Sequence, residues 1–170
     1  MLKLLDVPLS PYAQKIKMAL LEKSIPFETA YPDFDAPDAA MRTINPRLEV
    51  PVLQDEAANI FQSSIILQYI EERWPTPSLL PSDPVERARV RILEEICYTA
   101  YDAVTWGISE IAVFKRADGE LADRILARAR EQVSGLNARL ERELAERAWF
   151  NGDAFGFGDL VVYPFVNGAA

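Results

Sequence analysis

Apolar residues recur along the chain with two different periods, and the change between them falls near residue 75. Before it, short apolar runs alternate with helix-spaced stretches. Leu2 to Asp6 reads as a first strand, and Val7-Pro8-Leu9 as a turn. Ser10-Pro11 then gives a helix start, because serine supplies a capping oxygen and proline fits the first helical position, where no N–H is needed. Ala13, Ile16, Ala19 and Leu20 fall on one helical face, with Gln14, Lys15, Glu22 and Lys23 elsewhere. Ile25-Pro26 stops this helix, and Phe27 to Tyr31 alternates as a second strand. A strand–helix–strand opening predicts a parallel pair joined by a crossover helix.

The pattern continues with a proline- and aspartate-rich turn over Pro32 to Pro37 and a short helix over Asp38 to Ile44. Val52 to Gln54 and Ile60-Phe61 read as a hairpin. Gln62 to Arg73 reads as a helix that buries Ile65, Ile66, Tyr69 and Ile70. The order is therefore βαβ-α-ββα. The proline-rich stretch from Pro75 to Pro81 is the best boundary in the chain. It divides a first domain, 1–75, from a linker, 76–82, and an all-α domain, 83–170, for an α+β protein overall. In the second part only the helical period survives. Asp83-Pro84-Val85-Glu86 resembles a capping box. A long helix follows with Ala88, Ile92, Ile96, Ala100, Val104 and Ile111 on one face. Another runs from about Gly119 to Arg147, with Leu121, Ile125, Ala129, Val133, Leu136, Leu140 and Leu144 in register. Trp149 to Gly158 is a glycine-rich loop, and Asp159 begins a helix that is still apolar at Ala170.

Two places in the first domain suggest chemistry. Pro51 lies near the start of the apolar run Val50 to Leu53, so it belongs at the first strand position or an edge. The Val50-Pro51 bond is one of the few that can be cis. Such a turn leaves the Val50 N–H and C=O for a ligand's backbone. Gln62-Ser63 then opens a helix, where N–H groups and the dipole favour an anion. A strand edge beside an anion-binding helix end suits a small peptide with a carboxylate.

Composition narrows the chemistry. The chain has 170 residues, 49% of them hydrophobic, enough for one large or two small cores. Its formal charge of -8 argues against nucleic acid or an anionic membrane as partner. No apolar run approaches the length that spans a bilayer, and no export signal opens the chain. A single cysteine, Cys97, allows no internal disulfide, which fits a reducing cytoplasm. The chain has no histidine, which removes histidine-based triads and metal sites. Any catalysis must use positioning, hydrogen bonds and helix dipoles, or borrow reactivity from a ligand.

The motifs Ser10-Pro11-Tyr12-Ala13-Gln14-Lys15-Ile16-Lys17, Asn45-Pro46 with Val50-Pro51-Val52-Leu53, and Gln62-Ser63-Ser64-Ile65-Ile66, followed by Gly152-Asp153 and Asp159-Leu160, together resemble the cytosolic glutathione transferases. The resemblance is to serine-type, bacterial-like members and covers the whole chain. It implies a thioredoxin-like first domain that binds glutathione as co-substrate, a small electrophilic second substrate, and a homodimer. Ser10 matches the residue that holds the glutathione sulfur. Val50 and Pro51 match the family's cis-proline turn, and Gln62 and Ser63 the pair that holds the γ-glutamyl end. Gln62 stands where many members have glutamate, so it supplies no charge to the ligand's ammonium group. Tyr12 lies beside Ser10, and Tyr98, Tyr101 and Trp106 fall on the helix that borders the family's second-substrate pocket; packing is the simpler reading for each. The chain departs from the family twice. Gly156 replaces the usual serine or threonine three residues before Asp159, leaving a capping box incomplete. The sequence also stops inside the helix that begins at Asp159, where family members usually continue through further helices; the expectation is either a truncated product or a member that does without them. An alternative is a non-catalytic binding or stress protein with the same fold. A thiol–disulfide oxidoreductase is disfavoured, because no cysteine stands at Ser10-Pro11-Tyr12-Ala13.

Overall fold

The computed structural model describes residues 1–32, 39–56 and 58–168. The chain divides into two compact units, Met1–Leu79 and Leu80–Ala170. The turn expected over Pro32 to Pro37 lies almost entirely outside the described residues.

The first unit holds a four-stranded sheet in the order β2-β1-β3-β4. Strand β1 (Leu2–Leu5) pairs in parallel with β2 (Phe27–Ala30) across the crossover helix α1 (Pro11–Glu22), as the strand–helix–strand pattern predicts. Strand β3 (Val52–Asp55) pairs antiparallel with β1 and forms a hairpin with β4 (Ala58–Phe61). Helix α2 (Ala39–Ile44) precedes the hairpin, and α3 (Ser63–Arg73) follows it. This is the thioredoxin-like α+β arrangement.

Alternation along the strands splits the core in two. Leu5 and Val52 are buried with Met41 of α2, and Ala30, Ile44, Leu48 and Phe61 pack around them. Leu4 and Leu53 alternate with that pair and are fully buried, as are Ile16 and Leu20 of α1 and Ile66 and Ile70 of α3. Helices α1 and α3 pack against each other. The predicted α1 face is buried as expected. The α3 face is shifted: Ile65 is half exposed, and Leu67 takes a buried place instead.

Two lysines expected on polar surface are buried. Lys15 has no exposed surface. Lys23 is buried because its ammonium group finds three acceptors: the Trp74 carbonyl at 2.7 Å, the Pro77 carbonyl at 2.5 Å and the Glu71 carboxylate at 2.9 Å. A lysine with all its donors occupied can be withdrawn from water. It thereby fixes the exit of α3 and the segment after it.

The second unit is helical. Helix α4 (Pro84–Ile96) is capped by Asp83, whose carboxylate accepts from Val85 N–H at 2.9 Å and Glu86 N–H at 3.0 Å. Glu86 does not close a capping box. It pairs instead with Arg89 and Arg147. A π turn (Cys97–Tyr101) leads into α5 (Asp102–Ala112), followed by α6 (Gly119–Leu144) and α7 (Phe157–Gly168). The expected face of the long helix is overturned: Ile92 is 56% exposed, while Val90, Leu93, Cys97 and Tyr101 are buried. Both stripes are apolar, so periodicity alone could not choose between them, and the π turn changes the phase midway. On α6, Leu121 and Ile125 are exposed, whereas Ala122, Ala129 and Leu140 are buried.

The start of α7 is built around Asp159. Its carboxylate accepts from Phe150 N–H at 2.8 Å and from Gly156 N–H at 3.0 Å. The second bond is the return half of a capping box, made although Gly156 has no side chain for the first half. Gly158 sits so close beneath this turn that a Cβ would lie 2.9 Å from Phe150 Cβ and 3.1 Å from Val90 Cγ1.

Replacing Gly158 by valine should therefore cost about 1–3 kcal/mol of stability by overpacking. Gly135, on α6, has nothing within 4 Å of its would-be Cβ. Gly135→Ala should instead gain roughly 0.5–1 kcal/mol from helix propensity. Denaturant midpoints that moved in the same direction for both variants would contradict this packing.

Asp159→Ala should lower stability by about 2–4 kcal/mol, because buried N–H groups lose their acceptor. Burial holds the Asp159 carboxyl above its ordinary value, and the N–H groups of Phe150, Gly156 and Asn151 only partly offset this. The folded chain thus keeps that proton over a window in which the unfolded chain has lost it. The wild-type advantage over the alanine variant is full below the ordinary aspartate value and shrinks as pH rises through the folded one. Unfolding of both proteins from about pH 3 to about pH 7 measures it; an advantage that grows with pH would refute it.

Candidate active site

The site candidates are separated in sequence but gathered by register. Leu5 at the end of β1 pairs with Val52 at the start of β3, and Val52 pairs with Phe61 at the end of β4. This row lies at one end of the sheet. The Ser10 loop leaves it from β1, the Val50-Pro51 turn enters it at β3, and Gln62-Ser63 leaves it from β4. All of these residues belong to the first unit.

Ser10 is the N-cap of α1, half-buried, with extended backbone. Its Oγ accepts from Ala13 N–H at 3.2 Å. That bond uses a lone pair and leaves the hydroxyl hydrogen able to donate. The capping role and a donor role are therefore compatible. The helix behind Ser10 runs for 12 residues and presents the positive end of its dipole. Just before the loop, buried Asp6 pairs with the Lys17 ammonium group of α1. Its backbone N–H donates to the Ala30 carbonyl at 3.0 Å. These contacts tie the strand end to the helix and so place the loop between them.

The Val50-Pro51 bond is cis. The β3 ladder begins only at Val52, and among the described residues nothing pairs with the Val50 N–H or C=O. The approach to this turn is held by Asn45, which is 1% exposed. Its Oδ1 accepts from Arg47 N–H at 3.0 Å, and its Nδ2 donates to the Glu49 carbonyl at 2.9 Å. One buried amide thus closes the loop between α2 and Val50. The Arg47 guanidinium makes a two-pronged bond to the Glu49 carboxylate, at 2.7 and 2.8 Å. The hydrogen bond from Arg47 is the main cause that holds the Glu49 carboxyl below its ordinary value.

Gln62 precedes α3 with φ 68°, a left-handed conformation that non-glycine residues seldom adopt. Such a backbone costs on the order of 1–3 kcal/mol and collects at ligand sites. The Gln62 side chain is exposed and makes no capping bond to the helix. Its carbonyl accepts from Ile66 N–H at 2.9 Å. Ser63 is buried at the first helical turn, and Ser64 half-buried beside it.

Sequence reading missed two members of this arrangement. Asn45 was legible only as part of a motif; its role needs the loop closed around it. Glu49 carried no signal, because a lone surface glutamate has no distinguishing pattern. Tyr98 and Tyr101 lie in the second unit. The Tyr98 hydroxyl donates to Glu94 at 3.0 Å, and buried Tyr101 donates to Asn137 at 2.9 Å. Trp106 is 57% exposed and lies against Phe114. Cys97 is buried. Among the described residues, no three metal-ligating side chains cluster, and no helix is long and apolar enough to cross a membrane.

Residues 4–78 match the family model described as the glutathione S-transferase N-terminal domain. Glutathione S-transferase U6 of Arabidopsis thaliana is 32% identical over 160 residues, which cover 94% of this chain and 67% of that protein. Glutathione S-transferase U28 of the same plant is 33% identical over 163 residues, 95% of this chain and 69% of that protein. The chain thus spans about two thirds of the length of these curated relatives. Among solved structures, a glutathione S-transferase from Rhodospirillum rubrum superposes with a TM-score of 0.87 at 27% identity, over 99% of this chain and 77% of that one. Another, from Methylobacterium radiotolerans in complex with glutathione sulfonate, has a TM-score of 0.82 at 32% identity, over 98% of this chain and 78% of that one. Fold, register and relatives agree: the chain belongs to the glutathione S-transferase family, a family of transferases that take glutathione as co-substrate.

Proposed function

We propose that the chain is a serine-type glutathione transferase that joins the glutathione sulfur to an electrophilic carbon of a small apolar substrate. Residues 1–75 form its glutathione-binding domain, residues 76–82 a linker and residues 83–170 a helical domain. The compact units meeting at Leu79 and Leu80 support that division. The reading rests most heavily on one observation: the register of β1, β3 and β4 brings Ser10, the Val50-Pro51 turn and Gln62-Ser63 to one end of the sheet.

In this reading the Val50 N–H and C=O pair with the cysteinyl backbone of glutathione, beside Pro51. Ser63 and the start of α3 take the γ-glutamyl carboxylate, and the Gln62 amide oxygen takes the ammonium group. The thiol then lies at Ser10. The Ser10 hydroxyl donates to the sulfur, and the α1 dipole favours its negative charge, so both lower the thiol pKa. The thiol proton passes to solvent. The thiolate forms a carbon–sulfur bond with the electrophile, whose leaving group, where it has one, departs with its bonding electrons. No protein base is required, which suits a chain without histidine. A homodimer in the cytoplasm completes the proposal.

Titration of glutathione into the purified chain should show saturable binding near one per subunit. A folded protein that binds none would favour the non-catalytic reading instead.

Ser10→Ala should lower turnover by about 10- to 100-fold, the worth of a hydrogen bond to a charged group, with glutathione affinity changed far less. It should also cost roughly 0.5–2 kcal/mol of stability through the lost cap. Steady-state kinetics with a reactive aryl halide test this; equal turnover in the two proteins would sink the role of Ser10.

A further inference from the structure

The loop that delivers Ser10 has no apolar anchor at its tip. It is a four-residue turn closed by the Ser10 N–H, which donates to the Val7 carbonyl at 3.0 Å. Pro8 and Leu9 form its two middle positions, and both are exposed, Leu9 by 91%. In such a turn the middle peptide, here Pro8–Leu9, can rotate while the closing bond stays made. Proline fixes its own φ and leaves that rotation free. A rotated middle peptide would shift Leu9 and change how the chain enters Ser10.

Polar bonds to α1 hold the loop instead. At its start the buried Asp6 carboxylate pairs with the Lys17 ammonium group. At its end Ser10 Oγ accepts from Ala13 N–H at 3.2 Å, a long bond that by itself fixes the side chain only loosely. Between them the Gln14 side-chain amide reaches back over the helix start and donates to the Pro8 carbonyl at 2.9 Å. That carbonyl is the oxygen of the rotatable middle peptide. Gln14 stands one helical turn after Ser10, and Lys17 one turn further, so both project from the same side of α1 as the cap. Gln14 reads in the sequence as polar surface; its contact with Pro8 is what the fold adds.

We propose that Gln14 is a positioning residue for Ser10: by holding the Pro8 carbonyl it locks the Val7–Ser10 turn, and so fixes where the Ser10 hydroxyl can donate to the glutathione sulfur. This rests on the site reading given above. Gln14 acts on the reaction only through Ser10 and needs no contact with either substrate.

The test is a double-mutant cycle on the whole chain, read as turnover with glutathione and a reactive aryl halide. Gln14→Met keeps the length of the side chain and removes the donor. It should lower turnover by about threefold to tenfold, the worth of one hydrogen bond, and change glutathione affinity by less than about twofold. In a Ser10→Ala background the same change should cost less than about twofold in turnover. A merely structural role would lower turnover alike in both backgrounds, and that result, or no loss in either, would overturn the proposal. Gln14→Lys keeps a donor and should recover most of what Gln14→Met loses; a lysine variant as slow as the methionine one would also overturn it. A Ser10→Ala protein as fast as wild type, or a wild-type chain that binds no glutathione, would overturn the site reading and this inference together. A slow Ser10→Ala protein with equal Gln14→Met losses in both backgrounds would overturn this inference alone.

Discussion

The register of one short strand holds the first unit and its site together. Val52 pairs with Leu5 on one side and Phe61 on the other. Because side chains alternate along a strand, a slip of one residue would turn Val52 away from Met41 and Leu5 and carry Leu53 out of the half of the core where it is now fully buried. The same slip would move the Val50-Pro51 turn away from the ends of β1 and β4. The hydrophobic demand that sets the register therefore also sets the spacing of the site. Burial of apolar area stabilises the pairing, and the site candidates lie at the strand ends, where backbone groups have left the ladder.

Outside the regular elements, buried polar side chains take over that task. Asn45 closes the loop before Val50, Lys23 binds the carbonyls after α3, and Asp159 gathers the N–H groups before α7. Each replaces several water contacts of an irregular backbone segment by fixed bonds from one side chain. Loops held this way can present a ligand site without regular structure beneath them. The left-handed backbone at Leu48 and Gln62 fits the same scheme, since both stand next to segments that are held from elsewhere.

In the proposed function, Ser10 carries a structural and a chemical role on one atom. Its oxygen caps α1 through a lone pair, while the hydroxyl hydrogen remains a donor. The cap also orients the helix end whose dipole favours an anion. On that proposal a chain without histidine favours a thiolate by placement alone, because the reactive sulfur comes with the ligand and only its pKa has to be moved.

The sequence by itself determined the order of elements, the parallel first pair, the hairpin, and the change to a helical second part. Those features follow from local periods and from caps such as Ser10-Pro11 and Asp83-Pro84, whose signals lie within a few residues. The motifs also marked where along the chain the site candidates stand. Only the tertiary structure decided which of two apolar stripes on α4 faces inward, burying Val90 and Leu93 and exposing Ile92, and it alone showed the π turn that changes the phase beyond Cys97. It alone buried Lys23, because three acceptors from distant residues converge on it. It alone closed the loop before Val50, around the buried Asn45 amide. Local pattern records what a segment can bury, but which groups meet depends on contacts between segments far apart in the chain.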